Sequence, residues 1–292
     1  NTGFFRPFKV VAPPGCYVNP QHPAPVAARG LGGFRICQAV FGAMAKALPD
    51  RVPGAWGGGE VAISFGGYYP GGKAFVFVEF NNDGPRGGGP FADGTDGAAA
   101  PVTNQANTPI ESIEANQPLR VRRYGFVPDT EGAGEFRGGM GIVREFELTA
   151  EEATLQIRSD RGKFLPWGAH GGSPGAPNSN ILNPDGQAET LPAKFLRTLK
   201  KGDIFRQIGS GAGGYGDPLE RDVEAVLTDV IQEKFTIPHA REAYGVVVLD
   251  NPQRVDGEAT ARLRADMRSQ RSPLNLEPAA VRADGQSLTA DA

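Results

Sequence analysis

The sequence predicts an α+β fold: a β-rich body with glycine loops, followed by a helical carboxy-terminal appendage. Three observations support this prediction. The chain of 292 residues contains 41 glycines and 25 prolines without a short repeat, which is typical of many tight turns and loops. Apolar residues alternate along several segments between residues 61 and 208, as in strands. From residue 222 onward the apolar spacing changes to that of helices.

The first third of the chain combines a helix, two strands and a long loop. Apolar residues recur at three- and four-residue spacing from Phe34 to Leu48, which predicts a helix with one apolar stripe, ended by Pro49. Val61 to Phe65 and Lys73 to Phe80 are rich in β-branched and aromatic residues and predict strands. Residues 81–103 are polar and rich in glycine. A loop of this length inside a compact domain is usually functional or disordered.

A short helix and a series of strands follow this loop. Thr108-Pro109-Ile110-Glu111 is typical of a helix start, with Thr108 as the N-cap and Glu111 completing a capping box. A hairpin is predicted from Ile181 to Leu191, with its turn at residues 183–186. Further strands are predicted at Leu119 to Val127, Gly141 to Leu148, Ala153 to Ser159 and Asp203 to Ile208.

The last quarter of the chain has helical spacing. Helices are predicted at Asp222 to Phe235, Pro238 to Tyr244 and Gly257 to Arg271. We therefore divide the chain into a β-rich body at residues 1–218, a helical appendage at residues 219–272 and a polar, frayed tail at residues 273–292.

Composition and charge argue against several classes of protein. The formal net charge of -3 argues against binding to nucleic acids or anionic membranes, because neither would attract this chain. No run of about 18 apolar residues is present, which argues against a membrane span. The two cysteines, Cys16 and Cys37, match no zinc-binding or CxxC spacing. Their small number predicts free thiols in the reducing cytoplasm.

Motifs for self-contained catalysis are weak. Gly209 to Gly214 matches the GxGxxG string of dinucleotide-binding proteins, but Asp217-Pro218 follows where a helix should begin, so we favour a structural turn. The three histidines, His22, His170 and His239, lack metal-ligand spacing, so no metal site is predicted within this chain. A Ser-His-Asp site is not predicted either.

Candidate substrate-binding residues lie beside the polar and glycine-rich loops. Arg137 sits in a glycine cluster that could cradle an anion, although pairing with a nearby carboxylate is the favoured alternative. Arg158 and Arg161 flank a strand end and could bind an anionic substrate or form a surface ion-pair network. Asn107 and Glu111 lie at a helix start, a place compatible with anions, where Glu111 already has a capping role.

Several strings resemble the hydantoinase B/oxoprolinase family and occur in that family's order. They are Val26-Ala27-Ala28-Arg29-Gly30 with Arg35 after it, Asn107 to Glu111, Gly132 to Gly141, Pro166-Trp167-Gly168, Gly211 to Pro218 and Ala243 to Val247. Together these strings are specific, and they cover about residues 1–250. The resemblance adds Arg29 to the candidate substrate-binding residues, as a group that would hold a phosphate or a carboxylate.

The resemblance implies a subunit, or a fragment of one, from an ATP-dependent enzyme that hydrolyses cyclic amides through a phosphorylated substrate. It also implies a hydantoinase A-type partner that binds ATP and Mg²⁺. Asn1 is not an initiator Met, and the family's metal-binding segment lies in the amino-terminal half of the B-type polypeptide. We therefore expect a separate amino-terminal fragment of that polypeptide to hold a divalent metal.

Two alternatives stay open. The family includes acetone and acetophenone carboxylases, so the chain could belong to a ketone carboxylase, which its residues do not distinguish from a hydrolase. The small number of histidines and cysteines also fits a non-catalytic scaffold half of such a complex. If the chain contributes to a shared active site, we expect the loops at residues 81–111, 132–141 and 158–168 to face it.

Overall fold

The computed structural model describes Gly3 and residues 6–26, 29–58, 61–81, 84–99, 101–103, 106–278 and 280–284. Two large antiparallel sheets, a two-stranded ladder and five α-helices form these parts of the chain, so the predicted α+β class is confirmed. Within the same residues, no helix is both long enough and apolar enough to cross a membrane.

The helices and strands have the following bounds. The helices are α1 (Arg29–Ala47), α2 (Ile110–Asn116), α3 (Val223–Ile231), α4 (Ile237–Tyr244) and α5 (Gly257–Gln270). The strands are β1 (Val61–Tyr68), β2 (Ala74–Asn81), β3 (Leu119–Phe126), β4 (Ile142–Leu148), β5 (Glu152–Arg158), β6 (Ser179–Leu182), β7 (Glu189–Leu191), β8 (Lys194–Lys200), β9 (Ile204–Ile208), β10 (Val248–Asp250) and β11 (Gln253–Val255). The predicted hairpin is confirmed, because β6 and β7 pair antiparallel.

The two large sheets pack against each other through one apolar core. The first sheet has the strand order β2-β1-β5-β8 and the second β3-β4-β9-β6-β7. Phe65 and Phe77 of the first sheet lie 5.8 and 6.0 Å from Phe146 of the second, measured between ring centroids. All three rings are buried. Burying each one stabilises the fold by about 1.5–3 kcal/mol.

The carboxy-terminal helices surround a second, smaller apolar core. Phe235 and Tyr244 stack at 4.9 Å between ring centroids within this core. Helix α3 ends four residues before the predicted Phe235, because the chain turns through a left-handed conformation at Glu233, with φ 57°. The family-like string Ala243 to Val247 includes the end of helix α4, which closes at Gly245, whose φ of 63° suits glycine.

Two helix starts differ from the sequence prediction. Helix α1 begins at Arg29 and not at Phe34, and its apolar stripe is only partly buried, since Val40 is 54% exposed. The predicted capping box at α2 is wrong: Pro109 is the N-cap, and no side chain caps the helix. The Thr108 amide instead donates to the Glu79 carboxylate, at 3.3 Å from Oε2. A tertiary contact has therefore replaced the local cap.

The described part of the predicted tail returns to the body. Leu165 N donates to Val281 O at 2.9 Å, and Ala283 N donates to Lys163 O at 2.9 Å. These residues therefore form backbone pairs with the loop after β5, whereas the sequence predicts a frayed end. Residues 285–292 of the tail lie outside the described residues.

Candidate functional site

The centre of the protein is a glycine layer, which we define as residues 209–216 and the segments that hydrogen-bond to them. The Gly213 amide donates to Ala55 O at 2.8 Å, and Gly213 O accepts from the Gly88 amide at 2.9 Å. The Gly214 amide donates to Ser173 O at 2.9 Å. These bonds bring together segments that are far apart in the sequence, including the glycine loops near residues 88 and 132–141.

The glycine layer is so tight that several positions admit no side chain. A Cβ atom on Gly211 would lie 1.6 Å from Thr130 O, and one on Gly138 would lie 2.0 Å from Ala212 O. The amides of residues 209 and 211–214 all donate to backbone carbonyls and are not available to a phosphate. The structural role of the GxGxxG string is therefore confirmed, but it is a central segment of the protein and not a turn.

An ion network ties the glycine layer to the helical appendage. We define it as Arg137, Arg221, Asp93, Asp96 and Asp229. Arg137 Nη1 donates to Asp96 Oδ1 at 2.9 Å, and Arg221 Nη2 donates to Asp229 Oδ2 at 2.8 Å. Burial lowers the pKa of Arg137, but its carboxylate partners outweigh burial and raise this pKa above its usual value. Arg137 therefore has the favoured pairing with carboxylates, and 4% of its side chain is exposed.

A second charged group lies between α1 and the loop after β5. We define this arginine cluster as Arg35, Gln38, Asp160 and Arg161. Arg35 Nε lies 2.6 Å from Asp160 Oδ2. Both guanidinium groups donate to the same acceptor, Gln38 Oε1. The Gln38 amide nitrogen donates to Trp56 O at 2.8 Å, which fixes the orientation of this side chain.

Arg161 has an unusual conformation within this cluster. Its φ is 62°, in the left-handed region that residues other than glycine seldom adopt. Its Nη1 donates to Leu165 O at 3.1 Å, whereas its buried Nε has no hydrogen-bond partner among the described residues. Burial and the charge of Arg35 lower the pKa of Arg161 to about 9, despite the opposing charge of Asp160. The charged guanidinium is therefore short of counter-charge from the described side chains.

The arginine cluster forms the polar wall of an open cavity of about 570 Å³. Its other walls are the small residues of α1, the Trp167 ring and part of the returning tail. The residues that line it are Arg35, Gln38, Ala39, Gly42, Ala43, Lys46, Arg161, Trp167, Pro278 and Ala280. The cavity therefore combines three basic side chains, Arg35, Lys46 and Arg161, with apolar walls, an arrangement suited to a small amphipathic anion.

A third polar group links the β-rich body to the helical appendage. The Glu131 side chain is fully buried, and its Oε1 lies 2.6 Å from His239 Nε2 and accepts from Tyr244 Oη at 3.0 Å. Burial lowers the pKa of His239, but the hydrogen bond and charge of Glu131 outweigh burial and raise this pKa above its usual value. Burial raises the pKa of the Tyr244 hydroxyl well above its usual value. This group joins the glycine loop to α4 and lines no described cavity.

Known proteins are similar to most of this chain. A family model described as hydantoinase B/oxoprolinase matches residues 1–218. The chain belongs to this family. Its relatives are named as subunits of a hydantoinase, a caprolactamase and a carboxylase.

Three relatives illustrate the breadth of the family. The putative D-/L-hydantoinase B polypeptide of a Pseudomonas strain is 34% identical over 267 residues, which are 90% of this chain and 44% of the relative. The crystal structure of ATP-dependent caprolactamase from Pseudomonas jessenii matches with a TM-score of 0.77 and 28% identity, covering 88% of this chain and 46% of that chain. The acetophenone carboxylase delta subunit of Aromatoleum aromaticum is 28% identical over 273 residues, which are 79% of this chain and 40% of the relative. This chain thus spans less than half the length of each.

The family motifs meet at the glycine layer. Trp167 O accepts from the Ala55 amide at 2.8 Å, and Ala55 O accepts from the Gly213 amide, so the Pro166-Trp167-Gly168 string and the carboxy-terminal glycine string share one neighbour. Arg35, which follows the family's central segment, lies in the arginine cluster beside Trp167. Ala27 and Ala28 of that segment lie outside the described residues.

The structure does not bring the six predicted substrate-binding residues together. Arg29 is exposed at the start of α1, and Glu111 is exposed in the first turn of α2. Asn107 Nδ2 donates to Tyr124 Oη at 2.8 Å, and Arg158 ends β5. Arg137 belongs to the ion network. Of the six residues, only Arg161 lines the cavity, and the binding roles of the other five stay predictions.

Sequence reasoning missed two residues that organise these clusters. Gln38 is buried on the apolar face of α1, four residues after the buried Phe34. Asp229 is buried in α3, next to Val230 and three residues after Val226. A polar residue on the apolar face of an amphipathic helix was the available signal, because such a residue must find a polar partner when buried.

The divalent metal that the family resemblance implies does not fit the described residues. They contain no group of three His, Cys, Asp or Glu side chains that could hold a metal ion. Within this part of the chain, the ion network and the arginine cluster are instead closed by arginine, which cannot serve as a ligand because it has donors only.

Proposed function

We propose that this chain is a subunit, or part of a subunit, of an ATP-dependent cyclic-amide hydrolase. The observation that carries the proposal is the match to ATP-dependent caprolactamase over most of this chain. The hydantoinase relative supports the same class, because hydantoins and caprolactam both contain an amide bond within a ring. The family motifs that meet beside the cavity are consistent with a contribution to a substrate site.

The proposed reaction has three stages. The substrate amide oxygen attacks the γ-phosphorus of ATP, ADP leaves, and the ring carbon becomes more electrophilic. Water then attacks that carbon, the ring C–N bond breaks as the nitrogen takes up a proton, and an acyl phosphate is left. A second water hydrolyses this acyl phosphate to the carboxylate and inorganic phosphate. On this proposal, ATP and Mg²⁺ bind to a hydantoinase A-type partner, and the cavity of this chain contacts the small-molecule substrate.

We further propose that an amino-terminal fragment of the B-type polypeptide holds the divalent metal. The support is the absence of a metal-ligand group among the described residues, together with the length of the relatives, which is about twice that of this chain. No step that we assign to the residues of this chain depends on that metal.

A component of a ketone carboxylase is the second candidate. The acetophenone carboxylase delta subunit supports it, because that relative matches most of this chain. That relative is less identical to this chain than the hydantoinase relative and covers a smaller share of it, which favours the hydrolase. A scaffold half that contacts no substrate is the third candidate, and it predicts that cavity substitutions change assembly but not turnover.

The test begins with the protein from its source and whatever subunits copurify with it. ATP consumption is measured with a hydantoin, a lactam, and a ketone plus bicarbonate. ATP loss that depends on the hydantoin or the lactam, with ring-opened product, supports the hydrolase. ATP loss that depends on the ketone and bicarbonate would replace it with the carboxylase. The Arg161→Gln substitution separates the scaffold: unchanged turnover in an intact complex would favour the scaffold over a substrate-contacting role.

A further inference from the structure

We propose that a second, smaller cavity binds a small neutral ring that carries a carbonyl group. This cavity, which we call the aromatic cavity, has a volume of about 230 Å³. The side chains that line it are Phe41, Pro53, Trp56, Arg86, Pro101 and Trp167. Binding of such a ring rests on the proposed function only where the ring is the cyclic-amide substrate.

Aromatic and other apolar residues form most of the wall of the aromatic cavity. The chain contains two tryptophans, and both of them line it. The ring of Phe41 meets the ring of Trp56 edge to face, with 5.7 Å between the ring centroids. Apart from Arg86, all the described residues that line the cavity are apolar. A neutral ring buries apolar surface against such walls, which favours its binding.

The backbone fixes the positions of both tryptophans. The amide of Ala55, the residue before Trp56, donates to Trp167 O at 2.8 Å. Gln38 Nε2 donates to Trp56 O at 2.8 Å from helix α1. The walls are therefore formed before a ligand arrives, and little ordering of the protein has to accompany binding.

One wall carries a hydrogen-bond donor that has no acceptor. The Trp56 side chain is buried, and its Nε1 has no hydrogen-bond partner among the described residues. An indole nitrogen can only donate, and a buried donor without a partner is unfavourable. The carbonyl oxygen of the ring supplies the missing acceptor for Trp56.

The charge of the aromatic cavity favours a neutral ligand. Arg86 is the one charged residue among the described residues that line it, and this arginine is exposed. Its positive charge repels a protonated amine, for which these lining residues offer no carboxylate. A carboxylate would gain little from an exposed arginine and would lose hydration among apolar walls. A neutral carbonyl compound has neither penalty.

The size and the place of the aromatic cavity agree with a substrate ring. At about 30 Å³ for each water-sized group, its volume holds a ring of about eight heavy atoms, such as a seven-membered lactam. Arg86 and Pro101 belong to the loop at residues 81–111, and Trp167 belongs to the loop at residues 158–168. These are two of the loops that the sequence predicts to face a shared active site.

The test is isothermal titration calorimetry at pH 7 on the full chain with any subunit that copurifies. The probes are caprolactam, which is a seven-membered lactam; azepane, which is the same ring without the carbonyl and is protonated at this pH; and cyclohexanecarboxylate. We expect caprolactam to bind about tenfold more tightly than either of the others. Equal or tighter binding of azepane or of cyclohexanecarboxylate would overturn the proposal.

Two substitutions on α1 distinguish the aromatic cavity from the larger cavity beside the arginine cluster. Phe41→Ala removes an aromatic wall at a position that is 36% exposed, and it should weaken caprolactam binding at least about fivefold. Ala43→Phe enlarges an exposed residue that lines the larger cavity and not the aromatic cavity, so it should leave the affinity unchanged. Undiminished affinity in Phe41→Ala, or an equal loss in Ala43→Phe, would place the ligand elsewhere and refute the site.

A third substitution tests the hydrogen bond. Trp56→Phe keeps an aromatic ring and removes Nε1, so it should weaken caprolactam binding about three- to tenfold and reduce its preference over azepane. An unchanged preference in the folded variant would contradict the assignment of the carbonyl to Trp56. If Trp56→Phe does not fold, Phe41→Ala and Ala43→Phe still decide where the ring binds.

The outcomes separate the aromatic cavity from the proposed function. Caprolactam binding that Phe41→Ala weakens, without any amide-dependent ATP loss, would contradict the hydrolase and leave the binding site intact. Amide-dependent ATP loss with caprolactam binding that Phe41→Ala does not change would do the reverse.

Discussion

Replacing Gly213 by Ala should destabilise the protein severely, because this residue lies in the middle of the glycine layer. The new Cβ atom would lie 2.0 Å from Trp167 O and 2.6 Å from the carbonyl carbon of the same residue. Ordinary contacts of a Cβ atom begin at 3.4 Å, so the backbone must separate by more than 1 Å. That movement would break the hydrogen bonds of Gly213 with Ala55 and Gly88.

The cost follows from these two effects. Overpacking in a close-packed interior costs about 1–3 kcal/mol. Each of the two lost backbone hydrogen bonds adds about 0.5–1.5 kcal/mol. The free energy of unfolding should therefore fall by about 2–6 kcal/mol, a large part of the ~5–15 kcal/mol that holds a typical protein folded.

Urea unfolding followed by circular dichroism measures this loss against two matched variants. Gly186→Ala, in an open turn with no heavy atom within 4 Å of its Cβ position, should change the free energy of unfolding by less than about 0.5 kcal/mol. Gly141→Ala, whose Cβ would lie 2.4 Å from Gly209 O with the next atom at 3.3 Å, should fall between the two. If Gly213→Ala unfolds at the same urea concentration as Gly186→Ala, the packing argument is refuted.

Three further predictions concern the ion network, the buried histidine and helix α5. Asp229→Asn removes a carboxylate shared by two buried arginines and should lower the free energy of unfolding by about 3–5 kcal/mol; Glu258→Gln, at an exposed pair, should change it by less than about 0.5 kcal/mol in the same urea assay. Glu131 raises the pKa of His239 in the folded state, so this pair stabilises fully below the unfolded-state pKa of about 6.5 and loses that contribution as the pH rises through the folded-state pKa. The urea midpoints of the wild type and His239→Gln should therefore converge as the pH rises, and a constant difference between them would contradict the linkage. Gly257→Ala, at the first residue of α5 and with no atom within 4 Å of its Cβ position, should raise the free energy of unfolding by up to about 1 kcal/mol in thermal or urea unfolding.

The sequence predicted those elements whose signal is local. Strand β9 (Ile204–Ile208) starts only one residue after the predicted Asp203. The prediction succeeded because the alternation of apolar residues follows directly from the two faces of a strand. The start of α2 was predicted wrongly for the opposite reason. Thr108 has the local pattern of an N-cap, but its amide binds Glu79, which lies 29 residues earlier in the chain. A local pattern does not contain that competing partner.

The candidate site shows the same division between local and distant signals. The sequence identified Arg161 as a possible anion-binding residue from its place at a strand end, and the structure places it in a cavity. Gln38, which binds Arg161, lies 123 residues away on a helix whose periodicity suggested only an apolar stripe. Asp229 likewise lies 92 residues from Arg137. Partners at such separations are set by the packing of whole elements, which one sequence does not specify.

The glycine layer connects stability to the cavity, and this connection explains why so many glycines lie far from any exposed turn. Trp167 forms a wall of the cavity, while its carbonyl oxygen accepts from the Ala55 amide inside the layer. Gly213 contacts the same carbonyl and bonds to the same Ala55. A side chain at Gly213 would therefore move the Trp167 backbone as well as loosen the core. If Gly213→Ala folds and assembles, it should lower substrate-dependent ATP consumption although it adds no atom to the cavity, whereas Gly186→Ala should not. Unchanged turnover by an assembled but destabilised Gly213→Ala protein would show that the cavity wall is positioned independently of the layer.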